Sequence, residues 1–331
     1  MTSNGPVAAL AEQSRRERRC IIPPDESMRR VLCRRVDRGS FVRPWRGLYA
    51  EAEHWRSLDP NEQSLHVIRA LSAAHPDWTF AGPSAALVHG LDCPYALSGD
   101  IYRLVPRHAR DTHPRRNRLV AVTPGAGTRT ERVDGIMVTS AETTVYDCAA
   151  RFRPSHALAF ADSALRLGRS TISSLTEHGM GRRRDGSWAR AMQLLALANG
   201  ASENGGESRC RGMLHECGAD VPQLQVEVPC LTDRRRVHRT DMMWVREDGS
   251  HVACEFDGTR KYVDPAMIGT RDIRQVVTEE RDRQQCLQQQ GIDVFRLFHD
   301  QLDRPGTVRR LLSVNRVPTN DIIRRQLGAW S

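Results

Sequence analysis

Three observations predict a multidomain protein of mixed α+β or α/β class. The chain has 331 residues and 37.3 kDa, enough to bury more than one core. Punctuation and charge divide it into three zones, with predicted boundaries at 1–56, 57–204 and 205–331. In the last zone three strand-like runs come in succession and are followed by a helix and another strand, an order that implies a mixed sheet flanked by helices.

Residues 1–50 contain eleven arginines against five acidic residues. A helix is predicted over 27–38, stopping at Gly39, and "SFVRPWRGLYA" follows as two short β-like runs around Pro44 and Gly47. A helix followed by a basic hairpin is the layout of a winged helix, in which the hairpin touches DNA backbone while a helix enters a groove. Arg29, Arg30, Arg34, Arg35, Arg43 and Arg46 are the candidate DNA contacts. The middle zone is mixed, with helices expected near 60–74, 83–89, 140–167 and 187–199 and strands near 101–106, 117–123 and 136–139. It shows no catalytic cluster. The loop-like "NGASENGG" at 199–206 is the expected boundary of the third zone.

That zone predicts helix 207–218, strands 223–229, 237–245 and 251–257, helix 271–290, strand 292–298 and helix 305–314. In "HVACEFDG" the two-residue period of a strand places Glu255 and Asp257 on one face at the strand end. Two acids there repel unless positive charge sits between them. Asp241, amid the apolar residues of the preceding strand, wants a partner or a cation. Glu207 tops the inward stripe of Cys210, Met213, Leu214 and Cys217. Lys261, the only lysine among 49 basic residues, follows the turn at Gly258. Carboxylates on adjacent strands suit Mg²⁺, which keeps waters for a phosphate substrate, and an amine beside them can orient a water or stabilise developing charge.

Plainer readings stand beside these. Glu207 can complement a helix N-terminus, Asp241 can pair with Arg239 or Arg296, the Glu255 and Asp257 pair can be a solvated strand end, and Lys261 can be a surface lysine. Glu280 and Arg283, on one face of the long helix, can pair with each other, and Arg283 can also steer phosphate.

A formal net charge of +9 and a pI near 9.4 favour a polyanionic partner. No stretch of the sequence is apolar for long enough to span a membrane, and the N-terminus has no apolar core of the signal-peptide kind, so a cytoplasmic location with no membrane partner is expected. Nine cysteines at wide intervals, with no CxxC and no Cys/His cluster at zinc spacing, read as reduced and mostly buried thiols.

The order helix–strand–strand–strand–helix–strand with Glu207, Asp241, Glu255 and Asp257 resembles the PD-(D/E)XK nuclease superfamily. Within it, "RTDMMW…ACEFDGTRKY…ERDRQQCLQQQGIDVFRLF" is similar to domains of the very-short-patch-repair endonuclease kind over about residues 205–315. The matching positions are Glu255, Asp257, Gly258, Lys261, Arg283, Gly291, Val294 and Arg296. Residues 27–50 resemble the winged-helix N-terminus of AbiEi-type antitoxins, with "FAGPSAALVHGL" and "VTSAETTVYDCA" fitting their middle region. The resemblances imply a DNA-binding, Mg²⁺-dependent endonuclease in a toxin–antitoxin or defence setting. Asp241, Glu255 and Glu207 would hold metal, and Asp257 and Lys261 would assist catalysis. They leave open a regulator or antitoxin that uses a degenerate nuclease fold only for binding, and a protein that captures a cognate toxin.

Overall fold

The computed structural model describes residues 4–106, 118–231, 233, 235–257 and 273–320, with backbone only at 4 and 273–280. The fold is mixed α and β, and the chain forms two compact units: residues 1–148 with 180–185, and residues 149–179 with 186–331. The division expected at 204 therefore falls inside the second unit.

The first unit begins with helix α1 (Asn4–Arg16), which the sequence reading missed, and α2 (Glu26–Asp37). Asp25 caps α2 by accepting from the Met28 N–H at 2.7 Å, and Gly39, at φ +76°, lets the chain turn out of the helix. The hairpin β1 (Phe41–Trp45) and β2 (Leu48–Glu51) follows. Ile21 exchanges backbone hydrogen bonds with Tyr49, so the segment between the helices lies along the hairpin. Val7, Ala11, Ile21, Leu32, Phe41 and Tyr49 form the local core.

Next come α3 (Ala52–Ser57), α4 (Pro60–Ala74), opened by an Asp59/Glu62 capping box, and α5 (Gly82–Val88). Strands β3 (Ile101–Leu104) and β4 (Leu119–Val122) pair in parallel, and β5 (Thr130–Val133) and β6 (Ile136–Thr139) pair antiparallel. Phe80 bridges β3 to β6. The helix expected over 140–167 is two helices, α6 (Ala141–Arg151) and α7 (Pro154–Arg166), because Pro154 cannot continue a helix but suits the first turn of a new one. The chain continues through α8 (Ile172–Gly181) and α9 (Trp188–Leu195).

The second unit is built on α10 (Gly205–Glu216), β7 (Gln223–Pro229), β8 (Val237–Val245), β9 (His251–Asp257), α11 (Ile273–Gln289), β10 (Ile292–Phe298) and α12 (Pro305–Val314). The sheet order is β10-β9-β8-β7, with β10 parallel to β9 and the other pairs antiparallel. Alternation gives it two apolar faces. Met242, Trp244, Val252, Cys254 and Phe256 pack with Cys210, Met213 and Leu214 of α10 and Leu312 of α12. On the other face, Val228, Met243, Ala253 and Ile292 pack with Leu287 of α11.

Helix α7 belongs to this unit because it packs closely on α10. A Cβ at Gly212 would come within 2.3 Å of the Pro154 carbonyl, so only glycine allows that approach. Beside it, Arg211 Nη2 donates to both Asp162 carboxylate oxygens at 2.7 and 2.6 Å. Asp162 also accepts from the Asn199 N–H at 2.8 Å, so the polar 199–206 segment is tied down rather than being a linker.

Candidate functional site

Asp241, Glu255 and Asp257 lie near one another toward the end of β9, and Glu207 approaches Asp241 from α10. On β9, Phe256 turns into the core beneath α10, while Glu255 and Asp257 share the face of Ala253, the α11 side. The parallel register puts Arg296 beside Glu255 and Phe298 beside Asp257. Arg296 Nη1 lies 3.3 Å from Asp257 Oδ2, and its Nη2 lies 3.7 Å from Glu255 Oε2. From α11, Arg283 Nη1 donates to Glu255 Oε2 at 2.7 Å while its Nη2 pairs with Oε1 and donates to the Arg239 carbonyl. The positive charge that two buried acids require thus comes from Arg283 and Arg296.

Asp241 follows from the strand register. Met242 pairs with Cys254, so one step further along the two strands stand Asp241 and Glu255. Asp241 Oδ2 accepts the Phe256 backbone N–H at 2.8 Å, fixing the carboxylate at the sheet end. Of the two arginines named as its alternative partners, Arg239 pairs with Glu203, and Arg296 pairs with Glu255 and Asp257.

Glu207 arrives from the first turn of α10. Asn204 caps that helix by accepting from Gly206 N–H at 2.9 Å and Glu207 N–H at 3.0 Å. The Glu207 carboxylate is buried and accepts from Glu203 N–H at 2.8 Å, Asn204 Nδ2 at 2.7 Å and Gln225 Nε2 at 3.1 Å. Burial pushes its pKa from the ordinary 4.5 up to about 7. The Glu203 N–H bond and Arg166 oppose that rise, while the negative charges of Asp241 and Glu203 add to it. A carboxyl poised near neutrality can take up or release a proton at working pH.

Gln225 is the residue the sequence reading missed here. It lies within β7 between Leu224, paired with Met242, and Val226, paired with Thr240, which places it across from Asp241. Its φ of +52° is a left-handed conformation that costs a non-glycine residue about 1–2 kcal/mol. Its Oε1 is buried and has no hydrogen-bond partner among the described residues. Nothing in "QLQVEVP" signals a glutamine with a left-handed backbone.

The donor type suits the Mg²⁺ implied by the resemblance, although in this arrangement the carboxylates do not converge on one point among the described residues and Arg283 engages both oxygens of Glu255. Glu207, Asp241 and Glu255 offer oxygen only, the orphaned Gln225 Oε1 is a neutral oxygen beside them, and desolvated carboxylates gain from a hard cation. Lys261 lies outside the described residues, as does the Glu280 side chain and with it the expected Glu280–Arg283 pair.

Among the predicted nucleic-acid contacts of the first unit, Arg29, Arg30, Arg34, Arg43 and Arg46 are exposed and Arg35 is half-buried, its guanidinium 5.9 Å from the Phe41 ring centroid. Arg29 and Arg30 share Glu26. Arg34, on α2, and Arg43 and Arg46, on the hairpin, form no ion pair among the described residues.

In comparison with known proteins, the chain is similar to two uncharacterized proteins of Mycobacterium tuberculosis, from two strains. With each it shares 27% identity over 246 residues, covering 72% of this chain and 81% of the relative. No family model matches the sequence, and no solved structure matches the fold. No helix among the described residues is long and apolar enough to cross a membrane.

Proposed function

We propose that this is a DNA-binding protein whose second unit is a Mg²⁺-dependent endonuclease domain of the PD-(D/E)XK, very-short-patch-repair-like kind. The observation that carries this reading is the approach of Glu207 to Asp241 and of Asp241 to Glu255, beside a glutamine with a left-handed backbone and an orphaned oxygen. Strain and desolvated charge are costly, and they gather where function requires them. Glu207, Asp241 and Glu255 would hold the ion, which when bound supplies charge stabilisation for a scissile phosphate. Asp257 assists through Arg296, and Lys261 is assigned to the attacking water or the phosphate. Exposed arginines of α2 and the β1–β2 hairpin, read as a winged helix, would grip the DNA backbone.

A second reading draws on Arg283 and Arg296. They already neutralise Glu255 and Asp257, as expected of a non-catalytic regulator or antitoxin that binds DNA, and a cognate toxin, through a nuclease-like platform. Incubating the full chain with plasmid and linear DNA in Mg²⁺, Mn²⁺ or EDTA separates the two. The endonuclease reading expects nicking or linearisation with metal, none with EDTA, and loss of cleavage in Asp241→Asn with DNA affinity retained. Intact DNA under every metal condition, with salt-sensitive binding preserved, supports the regulator.

A further inference from the structure

We propose that Cys230, His238 and Cys286 form a zinc site, separate from the carboxylates and independent of whether the protein cuts DNA. No local spacing announces it: the three residues stand 8 and 48 positions apart along the chain. The fold brings them together. Cys230 directly follows β7, His238 is the second residue of β8, and Cys286 lies in the last third of α11. Val228 pairs with His238 and the Cys230 N–H donates to the Arg236 carbonyl at 2.8 Å, so Cys230 and His238 flank the closed end of the β7–β8 hairpin. Helix α11 lays Cys286 against it, and Gln290, one turn further on, donates to the Pro229 carbonyl at 3.1 Å.

All three side chains are buried, and their ligand atoms lie within 4.8 Å of one another. The two sulfurs are 3.0 Å apart. His238 Nε2 is buried with no hydrogen-bond partner among the described residues. A contact between thiols leaves that nitrogen unanswered, and an orphaned buried polar atom costs about 1–3 kcal/mol. A cation bound by both sulfurs and by Nε2 satisfies all three atoms at once. Two sulfurs and one imidazole are borderline-soft donors that select zinc over magnesium. On binding, the thiol protons pass to solvent and both sulfurs bind as thiolates, leaving one of zinc's four positions to water or another small ligand.

The bound ion would tie the hairpin to α11. Cys286 lies one turn beyond Arg283, the residue that holds Glu255 and the Arg239 carbonyl. Its role would be to fix that helix against the sheet.

The test uses the full chain, purified without chelator and analysed for bound metal. About one zinc per chain is expected. The zinc should be lost in Cys230→Ser, Cys286→Ser and His238→Ala and kept in Cys93→Ser, whose buried thiol lies in the first unit. Replacing zinc with Co²⁺ in the wild-type chain reads the ligands without any variant: the thiolate-to-cobalt charge-transfer band and the strong visible bands of tetrahedral cobalt should appear together. The proposal is overturned if reduced wild-type protein takes up no stoichiometric zinc and its cobalt form lacks the thiolate band, or if a folded Cys230→Ser/Cys286→Ser variant keeps the metal. It is equally overturned if mass spectrometry finds Cys230 and Cys286 joined as a disulfide in protein prepared under thiol-reducing conditions.

Discussion

Asp162–Arg211 and the pairs at the end of β9 use the same two kinds of side chain in different surroundings. The first pair is sealed, with side chains 0% and 2% exposed, and each partner has a further backbone bond, to Asn199 N–H and to the Leu197 carbonyl. At the β9 end Glu255 and Asp257 are 10% and 11% exposed, while Arg283 and Arg296 are 21% and 26% exposed. A sealed pair has no alternative partner, because water and ions cannot reach it, so it serves the architecture of α7 on α10. A pair whose arginines reach solvent can be exchanged: a guanidinium can swing away and a cation can take its place. Enclosure, more than residue type, separates a structural ion pair from a candidate site.

The largest effect is expected where exchange is impossible. Asp162→Ala leaves the Arg211 guanidinium buried without its counter-ion and should cost about 3–5 kcal/mol of stability. Chemical denaturation checks this, and Asp162→Leu/Arg211→Met should recover much of the loss, because removing both charges also removes the desolvation penalty. A mild effect of the single substitution would show that this pair also reaches solvent, and the contrast would collapse.

At the open end the effect of removing a partner should be smaller, and it should show up in ion binding. Arg283→Met frees Glu255 from its guanidinium and should destabilise the unit by about 1–3 kcal/mol, while tightening Mn²⁺ binding roughly tenfold, the scale on which one adjacent charge shifts a carboxylate. Calorimetric titration reads the affinity. Weaker Mn²⁺ binding in that variant would mean that Arg283 organises the site, and exchange would be the wrong description.

The salt dependence of DNA binding tests the first unit. Replacing Arg34, Arg43 and Arg46 together with glutamine should lower the slope of log affinity against log salt by about 2–3, roughly 0.9 per phosphate contact on duplex DNA. Anisotropy measured across a salt series gives the slope. An unchanged slope places the DNA surface elsewhere.

Much of the second unit was legible because its signals are local. Alternation and turn residues mark the strands at 223–229, 237–245, 251–257 and 292–298, and the same period put Glu255 and Asp257 on one face. What was not legible depends on pairing between distant segments. The bond from Arg283 to Glu255, 28 residues away in sequence, had no local signal. The left-handed backbone of Gln225, across from Asp241, is announced by no residue of β7. In the 199–206 loop the Asn199 backbone N–H donates to Asp162 and the Asn204 side chain caps α10, neither of which the polar composition announces. One miss had a local signal: Pro154 marks the start of a new helix inside the run read as continuous.

A change in pH dependence at Glu207 measures the openness of the site directly. In the folded chain burial holds the Glu207 pKa near 7, whereas in the unfolded chain it returns to about 4.5. Below the lower value both states are protonated, and Glu207 adds no pH dependence. Between the two values the unfolded state ionises first, so the folded state binds more protons and stability falls as pH rises; above the upper value the loss is complete. Glu207→Gln has no proton to release and loses this contribution. The stability of wild type minus that of the variant should therefore decline from pH 5 to about pH 7 and level off by pH 8. Taking the difference cancels the pH-independent effect of giving glutamine the bonds of Glu203, Asn204 and Gln225. Saturating Mg²⁺ or Mn²⁺ should flatten the decline, because a cation beside Glu207 favours its charged form. If the decline persists unchanged with metal, no ion reaches Glu207, and the β9 end is as closed to exchange as Asp162 and Arg211.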